Sequence, residues 1–87
     1  MNLNRLNEVF TDKKIKNRML AKYFNKSEST ISLWRNNKRQ PCIQEFYEIA
    51  KLTRMDIRDL FAPTTWINEK SETYEQFSAR VKGKINK

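Results

Sequence analysis

The chain has 87 residues, with 18 Lys and Arg against 10 Asp and Glu, and carries a net charge of +8. Its length suits one small domain with at most an appended element, and 38% hydrophobic content is that of a folded globule. A single Cys and no His exclude an intrachain disulfide, a cysteine-based zinc site and any Ser-His or Cys-His nucleophile, so no enzyme activity, metal or cofactor is expected.

No apolar run approaches the roughly 20 residues of a membrane span, so a cytoplasmic protein is expected. The surplus charge is local. The window from Lys13 to Arg39 holds nine basic residues and one acid, Glu28, and so carries the whole net charge. A localised basic patch attracts phosphate, of nucleic acid or of an anionic membrane surface, unless it is simply a solvated face.

Helical spacing dominates, since Gly occurs once and Pro twice. Leu3, Leu6, Val9 and Phe10 share one face of a first helix that ends near Thr11 or Asp12. Ile15 anchors a basic connector, and Leu20, Ala21 and Phe24 form the apolar stripe of a second helix from about Asn17 to Asn25. Ser27 suits the N-cap of a third helix, with Glu28 at its positive end and Ile31 and Trp34 turned inward. Asn36 and Asn37 end it, because Asn tolerates the left-handed conformation.

Pro41 suits the first turn of a fourth helix, in which Ile43, Phe46, Tyr47 and Ala50 follow i, i+3, i+4, i+7. Cys42 reads as a small buried hydrophobe. Asp56 caps a short fifth helix holding Ile57, Leu60 and Phe61, which closes a compact five-helix unit over residues 2 to 61. Pro63-Thr64-Thr65 marks a boundary, giving a domain over residues 1–62 and an extension over 63–87. Within the extension Trp66 and Ile67 have no assigned place. Ser71 or Thr73 caps a last helix whose Tyr74, Phe77, Val81 and Ile85 are evenly spaced, with Gly83 weakening its end. That face either docks on its own domain or contacts a second copy.

Two short helices joined by a three-residue turn, the second polar on its outer face, describe a helix-turn-helix. Leu20, Ala21, Phe24, Ile31 and Trp34 hold the pair together, leaving Glu28, Ser29, Ser32 and Leu33 outward. Short polar side chains let a helix enter a major groove and reach base edges. Leu33 matches a thymine methyl, and Glu28 an exposed cytosine amine. The basic patch is not a continuous amphipathic helix and carries no exposed stacking aromatics in sequence, which disfavours RNA or a membrane surface.

From Leu6 to Phe61 the chain resembles the lambda-repressor-like, Xre/Cro-type helix-turn-helix domains of bacteria and phages. The matching stretches are LAKYFNKSESTISLWRNNKRQP, residues 20–41, and FYEIAKLTRMDIRDLF, residues 46–61. The resemblance implies an all-α, five-helix domain that binds double-stranded DNA and regulates transcription, as a homodimer on a near-palindromic operator. Carried over by residue, it implies base contacts from Glu28, Ser29 and Leu33, with Ser32 beside them. It implies phosphate contacts from Asn17, Ser27, Asn36, Lys38 and Arg39; Thr30 is open between a phosphate contact and packing. Lys22 and Lys26 would add diffuse attraction only.

The chain departs from that pattern at four positions. Arg35 stands where Glu is frequent, so an ion pair usual there is absent or reversed. Asn37 stands where Gly is common, Lys26 where a small apolar residue often packs, and Leu33 where a polar residue is common. An alternative reading is an antitoxin or similar regulator whose residues 66–87 bind another protein.

Overall fold

Secondary structure follows the expected order: α1 (Leu6–Asp12), α2 (Asn17–Phe24), α3 (Glu28–Arg35), α4 (Ile43–Thr53), a 3-10 turn (Ile57–Leu60) and α5 (Tyr74–Ile85). The computed structural model describes residues 2–66 and 70–85, the final two by backbone alone. Ile67 and the side chain of Ile85 lie outside the described residues. The fold is all-α, with no strand among the described residues and a single isolated antiparallel bridge, Asn4 to Phe61. No described helix is long and apolar enough to cross a membrane.

The first four helices all stop in the same way. Each ends in a left-handed residue, Lys14, Asn25, Asn37 or Arg54, with φ between 54° and 58°. In each case the next amide donates back to a carbonyl five residues earlier: Ile15 to Phe10, Lys26 to Ala21, Lys38 to Leu33 and Met55 to Ala50. These bonds satisfy carbonyls that a helix end otherwise leaves unpaired, and they turn the chain sharply with almost no glycine. Tight stops keep the connections short, so the helices must pack on one another.

The core is Leu6, Val9 and Phe10 from α1, Leu20 and Ala21 from α2, and Ile31 and Trp34 from α3. Phe46, Ile49 and Ala50 from α4 and Leu60 complete it. Phe24 meets Trp34 edge-on with ring centroids 5.4 Å apart, and Phe46 meets Phe61 at 4.6 Å. Such aromatic contacts are worth about 0.5–1.5 kcal/mol each beyond the area they bury.

Several details differ from the sequence expectation. Leu3 is not on the first helix: it is exposed, and the segment before α1 pairs through Asn4 with Phe61, with Arg5 N–H donating to the Leu60 carbonyl and Ala62 N–H to the Leu3 carbonyl. Pairing with Leu60 and Ala62 satisfies the Leu3 carbonyl, which a longer first helix would have bonded internally, and the Arg5 N–H, which such a helix would have left unpaired in its first turn. Pro41 is buried and lies before the N-cap residue, Cys42, so it closes the loop and does not start α4. Cys42 is exposed. In α4 the buried face is Phe46, Ile49, Ala50 and Thr53, while Ile43 and Tyr47 are about 60% exposed. The buried stripe is therefore rotated from the one the apolar spacing marks. The fifth element is a 3-10 turn, capped by Asp56, whose Oδ1 accepts from Arg58 N–H at 2.9 Å.

α5 begins at a reciprocal cap. Thr73 Oγ1 accepts from Gln76 N–H at 3.2 Å, and Gln76 Oε1 accepts from Thr73 N–H at 3.0 Å. Its apolar face is open to solvent, with Tyr74 80% and Phe77 47% exposed. The helix passes through Gly83 without a break.

Candidate nucleic-acid interface

α2 and α3 are packed through Ala21, which is buried and small enough to let the two helices approach closely. The turn between them needs the left-handed Asn25, after which Ser27 restarts the helix. Ser27 Oγ accepts from Thr30 N–H at 3.1 Å and lies 3.0 Å from Thr30 Oγ1. Ser27 is thus the helix cap, and half-buried Thr30 packs against it.

With Ile31 and Trp34 buried, helical geometry puts Ser29, Ser32, Leu33 and Asn36 on the opposite side, at i, i+3, i+4 and i+7. Glu28 and Ser29 are exposed on the first turn, and Ser32 and Leu33 are half-buried one turn later. Asn36 folds back, its Nδ2 donating to the Ser32 carbonyl at 3.0 Å and to Ser32 Oγ at 3.3 Å. Beyond it, the Lys38 and Arg39 amides both donate to the Leu33 carbonyl, at 2.9 and 3.2 Å, which fixes the loop that carries their side chains.

The positive charge is left free. Lys13, Lys14, Lys16, Arg18, Lys22, Lys38 and Arg39 are all exposed, and none makes an ion pair among the described residues. Lys26 is the exception, with its Nζ 3.7 Å from Glu45 Oε2. That contact ties the turn to the start of α4, where Glu45 Oε1 also accepts from Cys42 N–H at 2.7 Å.

Arg35 holds a junction that sequence reading does not show. Its guanidinium donates to Asn7 Oδ1 at 3.1 Å, to Thr11 Oγ1 at 2.8 Å and to Asn17 Oδ1 at 2.8 Å. Its Cζ lies 5.6 Å from the centre of the Phe10 ring. One side chain at the end of α3 thereby joins α1 and α2 through neutral acceptors. Among the described residues Arg35 makes no ion pair, and hydrogen bonds to amides and a hydroxyl take the place of the one usual there. A polar cleft of about 250 Å³ opens beside this junction, lined in part by Asn7, Arg35, Asn36 and Asn37.

Asn37 is a second junction. Its Oδ1 accepts from Leu3 N–H and Asn4 N–H, both at 2.8 Å, and from Gln40 Nε2 at 3.2 Å. Its Nδ2 donates to the Asn4 carbonyl at 3.1 Å. Asn4, 4% exposed, donates in turn to the Trp34 carbonyl at 2.9 Å and to Gln40 Oε1 at 2.7 Å. The N-terminal segment is therefore clamped onto the end of α3. The only sequence hint was an Asn in place of a glycine.

A solved structure described as "a putative DNA-binding protein from Bacteroides fragilis" is similar to this chain. The two are 42% identical over 71% of this chain and all of that one, with a TM-score of 0.66. No protein-family model and no curated protein matches the chain.

Proposed function

We propose, for a chain that belongs to the same family as the Bacteroides fragilis protein, that it binds double-stranded DNA as a helix-turn-helix protein of the lambda-repressor-like, Xre/Cro type. The carrying observation is a short polar helix face within a segment, Lys13 to Arg39, that holds seven exposed cations without an ion pair among the described residues. Phosphate neutralisation supplies affinity, and the α3 face supplies sequence preference. Glu28, Ser29, Ser32 and Leu33 face the bases. Asn17, Ser27, Asn36, Lys38 and Arg39 follow the backbone, while Thr30, bonded within the cap, serves packing. The protein is a transcriptional regulator of the cytoplasm and not an enzyme, and it works as a homodimer on a near-palindromic operator.

The division into a DNA-binding domain over residues 1–62 and an extension over 63–87 belongs to this reading. It is supported by the buried core ending at Leu60 and by the lack of helix over residues 61–66 and 70–73. Selection of binding sites from random duplexes tests the proposal. A symmetric motif is expected, and Lys38→Ala should weaken every sequence alike, lowering the salt slope by about one. Leu33→Ala should change which bases are preferred. Binding without any sequence preference would refute the assigned recognition face.

A second reading is that α5 binds another protein, as in an antitoxin. The exposed Trp66, Tyr74 and Phe77 favour it. A chain ending at Ala62 that still dimerises and binds DNA normally would support this role; loss of dimerisation would assign α5 to the homodimer.

A further inference from the structure

We infer that Arg35 is a positioning residue for DNA binding, which sets the direction in which the Asn17 carboxamide presents its donors. This rests on the DNA-binding reading above. Arginine can only donate hydrogen bonds. Its 2.8 Å contact with Asn17 therefore fixes Oδ1 inward and Nδ2 on the other side of the carboxamide. An amide orientation is otherwise ambiguous, since exchanging O and N preserves its shape.

Asn17 Nδ2 donates to nothing among the described residues, and no buried side-chain nitrogen or oxygen there lacks a partner. For the half-buried Asn17 this means that Nδ2 reaches the surface. It does so at the first residue of α2, next in sequence to the exposed Lys16 and Arg18, as a free donor suited to an anion.

The other two bonds of Arg35 explain why the arrangement is rigid. Asn7 and Thr11 hold the guanidinium from α1, and the Phe10 ring lies beneath it. Three acceptors in fixed directions match a planar fork and cannot be matched by a lysine ammonium on its flexible stem. The charge is spent on orienting neutral groups, so Arg35 need not touch the DNA itself.

The test is a double-mutant cycle on duplex affinity, using the full chain and the duplex found by selection. Asn17→Ala should weaken binding by about tenfold, the value of one hydrogen bond to a charged group. Arg35→Met should lose a similar factor, and the double variant should lose no more than either single one. The salt slope should stay the same in all three, because Asn17 is neutral and Arg35 is not at a phosphate. Additive losses would overturn the proposal, as would a slope lowered by about one in Arg35→Met, the mark of a direct phosphate contact.

Arg35→Lys offers a variant that keeps the charge should Arg35→Met fail to fold. In the free protein the Asn17 side-chain amide should be as ordered as the backbone by NMR relaxation, and disordered in Arg35→Lys. An Asn17 amide equally ordered in both would overturn the positioning role without any DNA. A chain that binds no duplex overturns both readings, whereas intact binding with additive losses overturns only this one.

Discussion

Asn37→Gly separates two effects that sequence alone leaves opposed. Asn37 sits at φ 58°, where a side chain is strained and glycine is not. On backbone grounds the substitution should help, by up to about 1 kcal/mol. The structure sets four hydrogen bonds against that gain: three accepted by Oδ1 and one donated by Nδ2. At about 0.5–1.5 kcal/mol each, and less for the exposed one to Leu3, they sum to roughly 3 kcal/mol. The net expectation is a loss of about 2 kcal/mol, a fall in melting temperature of roughly 8–16 °C for a domain of this size. Asn25→Gly is the internal control, since Asn25 has nearly the same φ of 54° but makes no side-chain hydrogen bond among the described residues. It should change stability by no more than about 0.5 kcal/mol. Urea unfolding with an unchanged m-value measures both. Equal stability of Asn37→Gly and the parent would refute the clamp as a source of stability.

Arg54→Gly should raise stability by about 0.5–1 kcal/mol, because Arg54 is left-handed at φ 57° and makes no side-chain hydrogen bond among the described residues; thermal unfolding would show it, and a loss would count against strain there. Acid should weaken the 3-10 cap. The Arg58 side chain first, and the Arg58 amide second, hold the Asp56 carboxyl below its ordinary value. Because the folded value is the lower one, this stabilisation is present above the unfolded carboxyl range, near pH 3.9, and is lost as pH falls through the folded value. Urea midpoints measured from pH 5 to pH 2 should therefore fall less steeply in Asp56→Asn than in the parent. Thr53→Val should destabilise by about 1–2 kcal/mol, since the buried hydroxyl donates to the Ile49 carbonyl at 2.7 Å, and a Val that melts with the parent would show that bond to be neutral.

Much of the fold was legible because helices advertise themselves locally. The 3.6-residue spacing of Leu6, Val9 and Phe10, of Leu20 and Phe24, and of Ile31 and Trp34 marks faces that the structure packs into the core. Ser27 and Asp56 were readable as caps for the same reason, since a cap bonds within three residues of itself. The outer face of α3 followed as the complement of its buried one.

Spacing failed where the deciding partner is distant in sequence. In α4 the apolar residues spread over more than one face, and only the neighbouring helices select Ile49 and Thr53 over Ile43 and Tyr47. Cys42, taken as a core residue for its chemistry, is exposed because it caps a helix end at the surface. Asn4 and Leu3 exchange places for a similar reason. The polar residue is buried because Asn37, Trp34 and Gln40 satisfy it, and the apolar one faces solvent.

By itself, the sequence determined where the helices lie, where they stop and where the positive charge collects, since these depend on neighbours along the chain. Tertiary structure alone decided what the polar side chains at the end of α3 do. Arg35 and Asn37 bond to residues between 18 and 34 positions away, apart from the Asn37–Gln40 contact. A hydrogen bond needs its partner within about 3 Å and in the right direction, and only the packed arrangement of α1, α2 and α3 brings those partners there.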